Sequence, residues 1–112
     1  MSNIQLTKDS DKLICALYKI YLEKRKQNIS KELAKNIGSS EDIFNSHILN
    51  MSFEDIDETC RELNRANLLS CSYADDVVYN SRLNDEAIFY MENRFKNGLS
   101  DLLDYAQKFK FW

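Results

Sequence analysis

From Ser10 to about Lys26, the apolar residues Leu13, Ala16, Leu17, Ile20 and Tyr21 recur at three- and four-residue spacing, the repeat of a single helix face. The spacing predicts a core helix capped by Ser10, with Lys24, Arg25 and Lys26 in its last turn, where positive charge suits the negative end of the helix dipole. Residues 1–9 read as a flexible tail. Ser30 begins a shorter helix with Leu33, Ala34 and Ile37 inward, and Gly38 supplies the left-handed residue that ends it. Ser39 or Ser40 can cap a third segment, in which Ile43, Phe44, Ile48 and Leu49 are the candidate buried positions.

The second half is patterned more sharply. Ser52 and Asp55 form a shortened capping box ahead of Ile56, Cys60 and Leu63, and Asn67 tolerates the left-handed conformation that stops this helix. Leu69, Cys71 and Tyr73 alternate with polar positions, Ala74-Asp75-Asp76 turns the chain, and Val77, Tyr79 and Ser81 continue the period of two, which predicts a two-stranded hairpin. Asn84 caps a further helix with Ala87, Ile88, Met91 and Phe95 inward, and Gly98 ends or bends it. Leu99, Leu102, Leu103, Ala106 and Phe109 then carry an apolar stripe almost to the end. Were Asp85 to Lys108 one rod, it would be about 36 Å long, more than so small a domain covers by itself, so the stripe through Leu99, Leu102, Leu103 and Ala106 is the candidate dimerisation surface. The ending Phe109-Lys110-Phe111-Trp112, aromatics alternating with lysine, could rest on a membrane surface or mark the boundary of a longer chain; packing in that dimer or on the chain's own core is the favoured reading.

Composition narrows the picture. The 112 residues suit a single core of a few helices, and the absence of proline with only two glycines favours helix over turn-rich architecture. The expected organisation is a tail over 1–9, a domain over 10–97 and an amphipathic helix over 98–112. No apolar run reaches about 18 residues, and no basic segment followed by an apolar one opens the chain, which predicts neither a membrane span nor a signal peptide. Three widely spaced cysteines do not make a disulfide framework and agree with a reducing, cytoplasmic setting.

Arg61-Glu62-Leu63 through Asn67-Leu68-Leu69 resembles the phrase that marks the passage from recognition helix to wing in the bacterial winged helix-turn-helix family, with Asn67 where that family usually has glycine. Leu83-Asn84-Asp85-Glu86-Ala87, followed by Tyr90-Met91-Glu92-Asn93, resembles the same family's post-wing phrase, with asparagine replacing the capping hydroxyl and alanine the glycine. The ending, an amphipathic helix finishing on an aromatic, is similar to small YjcQ-like winged-helix proteins. The resemblance covers about half the chain, from Ser52 onward. It implies a mainly helical winged helix-turn-helix fold with a small β-hairpin and a C-terminal helical extension. It also implies DNA binding in transcription control, often as a homodimer, although many members bind protein instead. The segment between Gly38 and Ser52 is longer than the compact pattern has.

Charge runs against the DNA reading. Residues 1–37 carry eight basic and four acidic side chains, residues 38–67 two and seven, and residues 68–112 five and seven, balances of +4, −5 and −2 that give the net −3. The early turns of the expected recognition helix hold Glu54, Asp55, Asp57 and Glu58, and the hairpin tip holds Asp75 and Asp76. Such a helix docks its N-terminal part in the major groove, where phosphate repels carboxylate. Carboxylates near a helix N-terminus each gain about 0.3–1 kcal/mol from the dipole, but six exceed what capping requires. They form a candidate acidic face for a basic protein partner. The alternative is a dimeric DNA-binding regulator that uses Lys24, Arg25, Lys26, Lys31 and Lys35 on phosphate and Arg61 and Arg65 on bases.

Catalytic and metal chemistry have little to stand on. His47, Cys15, Cys60 and Cys71 could formally supply a zinc site, but the cysteines are not paired at ligand spacing and fall on core faces. His47 has no nucleophile arranged beside it, and no glycine-rich phosphate loop occurs. The reading is a non-catalytic regulatory protein without metal or cofactor.

Overall fold

Helix α1 (Lys8–Lys26) buries six successive residues, Leu13 to Tyr18, which a helix does only when other elements cover it on every side. The computed structural model describes residues 4–111 and arranges the rest of the chain around this helix. After α1 come α2 (Lys31–Ala34), β1 (Asn36–Gly38), α3 (Ser40–Asn45), α4 (Phe53–Arg65), β2 (Leu69–Ala74), β3 (Val77–Leu83), α5 (Asp85–Arg94) and α6 (Leu99–Lys108). The three strands form one antiparallel sheet in the order β1-β3-β2. The fold is therefore mixed and mainly helical, and its sheet has one strand more than the hairpin alone.

The chain enters α1 earlier than the periodicity suggests. Thr7 is the cap, its hydroxyl accepting from the Ser10 amide, while Ser10 is buried inside the helix and donates to Glu62 Oε1 at 2.7 Å. Lys8 and Asp9 are helical, and Ile4 and Leu6 pack against the core, so the tail expected over 1–9 is ordered from Ile4 and only residues 1–3 lie outside the described part. The next helix is also shorter than expected. Lys35 follows its last turn, Leu33 is 68% exposed rather than inward, and Ile37 lies in β1. Gly38 ends that strand at φ +116, where a Cβ would stand 2.7 Å from Asp42 Oδ2, so its role is the close entry to α3 and not a helix stop. Ser39 and Asp42 cap α3 reciprocally at 2.9 and 3.0 Å. The long connection expected between Gly38 and Ser52 thus holds a helix, with Ile43 in the core.

Helix α4 follows its apolar pattern, with Ile56, Cys60 and Leu63 fully buried. Its expected capping box is only half formed: Ser52 Oγ accepts from the Asp55 amide, and the Asp55 carboxylate makes no return bond. Asn67 (φ +63) donates its amide to Asn64 O while Leu68 donates to Leu63 O, the paired closure that satisfies the last carbonyls of a helix. Asp75 and Asp76, both at positive φ, make a two-residue turn, so Ala74 belongs to β2. Ser72 faces Asn80 but Tyr73 faces Val78, a bulge at Tyr79 that moves the inward register by one residue. Val78 is consequently buried and Tyr79 63% exposed, the reverse of the simple alternation.

Asn84 stands at the start of α5, but its side chain makes no cap bond there; it accepts from Ser70 Oγ and donates to Asn67 O. Phe95 and Gly98 (φ +65) break α5 from α6, and no single rod forms. Helix α6 folds back along α1, with Leu102 and Ala106 fully buried. Residues 98–111 thus complete the same core and do not form a separate extension.

Candidate interaction surface

The first turns of α4 and the turn of the hairpin stand side by side, and side chains of Arg61 and Asp57 join them. Asp57 points inward. Its Oδ1 accepts from the Val78 amide at 2.8 Å and from Ser40 Oγ at 2.7 Å, and its Oδ2 accepts from Arg61 Nε at 2.9 Å. One carboxylate therefore ties α4 to α3 and to β3. Burial by itself would raise its pKa; the Val78 amide, the Ser40 hydroxyl and the Arg61 guanidinium outweigh burial and hold it below the usual carboxylate range. Arg61 Nη2 donates to Asp76 O at 2.6 Å, and its guanidinium lies 4.8 Å from the Tyr73 ring centre. Arg65 pairs with Glu58 at 3.0 Å.

The sequence-derived acidic set thus divides. Glu54, Asp55, Glu58, Asp75 and Asp76 are exposed, whereas Asp57 is buried as a structural pin and is not offered to a partner. Between α4 and the turn lies an open hollow of about 430 Å³ whose walls include Phe53, Glu54, Glu58, Asp76 and Val77. Phe53 also walls a second hollow of about 430 Å³, shared with Glu41, Phe44 and Asn45. The Phe44 and Phe53 rings meet edge to face at 6.1 Å. The surface thus sets the Phe44 and Phe53 rings beside exposed carboxylates, with Arg61 in the same wall but held by Asp57 and the Asp76 carbonyl. Phe53, Phe44, Glu41 and Val77 were not singled out as site residues from the sequence. The available signal was Phe53, which sits at the margin of the Ile56–Cys60–Leu63 stripe, one turn before Asp57.

The candidate DNA contacts are scattered in their duties. Lys24 Nζ donates to Asn36 O at 2.9 Å and Arg25 Nη1 to Ile29 O at 3.0 Å, so both fasten the exit of α1. Lys35 pairs with Asp85 at 2.5 Å, and Arg82 pairs with Glu32. Lys26 and Lys31 are exposed. Arg61 and Arg65, the residues assigned to bases, are both held by acidic or carbonyl oxygens of α4 and the turn. The geometry does not bring these seven cations onto one face.

The candidate dimer stripe is largely internal. Leu102 and Ala106 lie in the core, Leu99 is half-buried, and Leu103 is 38% exposed. Phe111 is buried beside Tyr105, while Phe109 is exposed; Trp112 lies outside the described residues.

Burial pushes the Cys15 and Cys60 thiols up to about 12, which keeps them neutral and poorly nucleophilic at physiological pH, and it also raises Cys71. Among the described residues no group of three or more His, Cys, Asp or Glu is placed to hold a metal ion. No described helix is long and apolar enough to cross a membrane. Comparison with protein-family models, with curated proteins and with solved structures finds no match to the chain.

Proposed function

We propose that this chain is a non-catalytic regulatory protein of winged helix-turn-helix type that acts mainly through protein association. The order α3, α4, hairpin supports the fold reading: α3 and α4 with residues 46–52 between them are the helix-turn-helix pair, and β2–β3 is the wing. The functional reading rests on one observation. Arg61 and Arg65, the cations of α4, are each engaged within the chain, while Glu54 and Asp76 wall the Phe53 hollow with exposed carboxylates and Asp75 is exposed next to Asp76. Exposed carboxylates beside aromatic rings, with the lining cation Arg61 already held inside the chain, suit a cationic protein segment, because opposite potentials steer the encounter and the rings cover the aliphatic stems of lysine or arginine. The second reading, a dimeric sequence-specific DNA-binding regulator, draws on the basic residues at the other end of the molecule, from Lys24 to Lys35.

Charge reversal separates the two. The Glu54→Lys/Glu58→Lys variant spares Asp57 and alters only exposed side chains; it gives up just the exposed Glu58–Arg65 pair, worth about 0–1 kcal/mol, so the fold is kept. By fluorescence anisotropy, the parent chain binds a labelled lysine-rich peptide and leaves duplex DNA unbound at about 50 mM salt, whereas the variant loses the peptide at least about tenfold and gains salt-sensitive DNA binding. Tight DNA binding by the parent chain, falling steeply between about 50 and 200 mM salt, would replace the first reading with the second.

A further inference from the structure

The two ends of β3 differ in charge. At its Val77 end lie Glu54, Glu58, Asp75 and Asp76 with the Phe53 hollow; at its Leu83 end lie α2 and the exit of α1, with Lys24, Arg25, Lys26, Lys31 and Arg82. The strand has seven residues, so these poles stand about 20 Å apart along it. The basic pole has an apolar feature of its own. Leu33 is 68% exposed, the most exposed large hydrophobic side chain of the described residues, and it sits on α2 between Lys31 and Lys35. An isolated exposed leucine is ordinary. Leu33 stands among cations, with Glu32 and Asp85 held by Arg82 and Lys35, on a chain whose other pole sets exposed carboxylates beside Phe53, a complement of opposite charge.

We propose that the partner of the acidic hollow is a second copy of this chain, docked head to tail with Leu33 over Phe53 and with Lys31 and Arg25 facing Glu54 and Glu58. This rests on the protein-association reading and names the partner. The two poles are different surfaces of one molecule, so the contact is heterologous: each copy that gives its basic pole keeps its acidic pole open for the next. The chain therefore grows into short linear assemblies, held weakly because the ion pairs at the rim remain wet and are screened by salt.

Sedimentation velocity tests this with the intact chain and two variants that each disable one pole, Leu33→Asp and Glu54→Lys/Glu58→Lys, all substituted positions being exposed. At about 1 mM protein and 50 mM salt the parent chain sediments with a weight-average mass at least about 1.5 times 13.2 kDa, and returns to 13.2 kDa at about 500 mM salt. Each variant alone stays at 13.2 kDa. An equimolar mixture of the two forms a closed 1:1 pair, since Leu33→Asp retains the acidic hollow and the lysine variant retains the basic pole. A parent chain that remains at 13.2 kDa throughout overturns the inference; if it still binds the lysine-rich peptide, the association reading survives with another partner, and if it does not, both fail. Association that persists in either single variant, or a mixture that does not pair, overturns the assignment of these two poles.

Discussion

Replacing Asp57 with alanine lowers the stability of the fold by about 3 kcal/mol, the cost of leaving a buried amide and hydroxyl without their acceptor and a half-buried guanidinium without its anion. The effect is large because the three donors come from three elements. Val78 N–H belongs to β3, Ser40 Oγ to α3 and Arg61 to α4, and Ser40 is itself fully buried, with only the Val78 carbonyl as a second acceptor at 3.3 Å. Asp57→Asn costs less, about 1–2 kcal/mol, because the amide oxygen still accepts from Val78 and Ser40 while the NH₂ faces Arg61. The pH dependence has a defined sign. The folded-state pKa is depressed, so the contribution of Asp57 is complete above the unfolded value near 3.9 and disappears as pH falls through the lower folded value. Urea unfolding at neutral pH and again near pH 3 measures both: the parent chain weakens on acidification more than Asp57→Asn does. An alanine variant within about 0.5 kcal/mol of the parent would show that the carboxylate does not hold α3, α4 and the hairpin together.

Asp11→Ala has the second largest effect, about 2–3 kcal/mol, because it strands a partly buried arginine. Arg94 reaches Asp11 with both terminal nitrogens, at 2.5 and 3.1 Å, and Tyr105 O–H donates to the same carboxylate at 2.7 Å. The guanidinium lies 4.5 Å from the Tyr105 ring and 4.9 Å from that of Phe95. These contacts fasten α5 and α6 to α1. Exposed ion pairs contribute only about 0–1 kcal/mol, but here both side chains are about four-fifths buried and the pairing is bidentate. Burial would lower the Arg94 pKa, yet the hydrogen bonds and charge of Asp11 raise it on balance. Burial and the Asp11 acceptor push Tyr105 up to about 12. Denaturant titration reads the stability, and ultraviolet titration of Asp11→Ala shows Tyr105 ionising closer to the ordinary tyrosine value near 10. The double variant Asp11→Ala/Arg94→Met recovers part of the loss, since an apolar side chain tolerates the site better than an unpaired cation. No recovery would mean that the loss came from packing around Asp11 and not from the stranded charge.

Local patterning made α4, its asparagine stop and the hairpin legible, because capping, helical period and alternation act over a few residues. What escaped depends on partners distant in the chain. Asp57 reads as one of four surface acids until Val78 and Ser40 are placed around it, and the Asp11–Arg94 pair spans 83 residues. The bulge at Tyr79 leaves no mark in composition, yet it exchanges the inward and outward roles of Val78 and Tyr79. The α6 stripe was visible, but its cover was not. A chain that breaks at Phe95 to Gly98 can lay Leu102 and Ala106 on its own α1, whereas a straight rod could not. Of the candidate site, the exposed carboxylates were readable from charge alone, and the aromatic centre of Phe44 and Phe53 required α3 to be set against α4.

A two-dimensional ¹H–¹⁵N correlation titration of the chain with the lysine-rich peptide and, separately, with duplex DNA decides between a protein and a nucleic-acid partner. The peptide is expected to shift the amides of Phe53 to Glu58 and of Asp75 to Val77, and DNA at the same concentration to leave them unmoved. Shifts produced by DNA and centred on Lys24 to Lys35, with α4 silent toward the peptide, would contradict the protein-association reading.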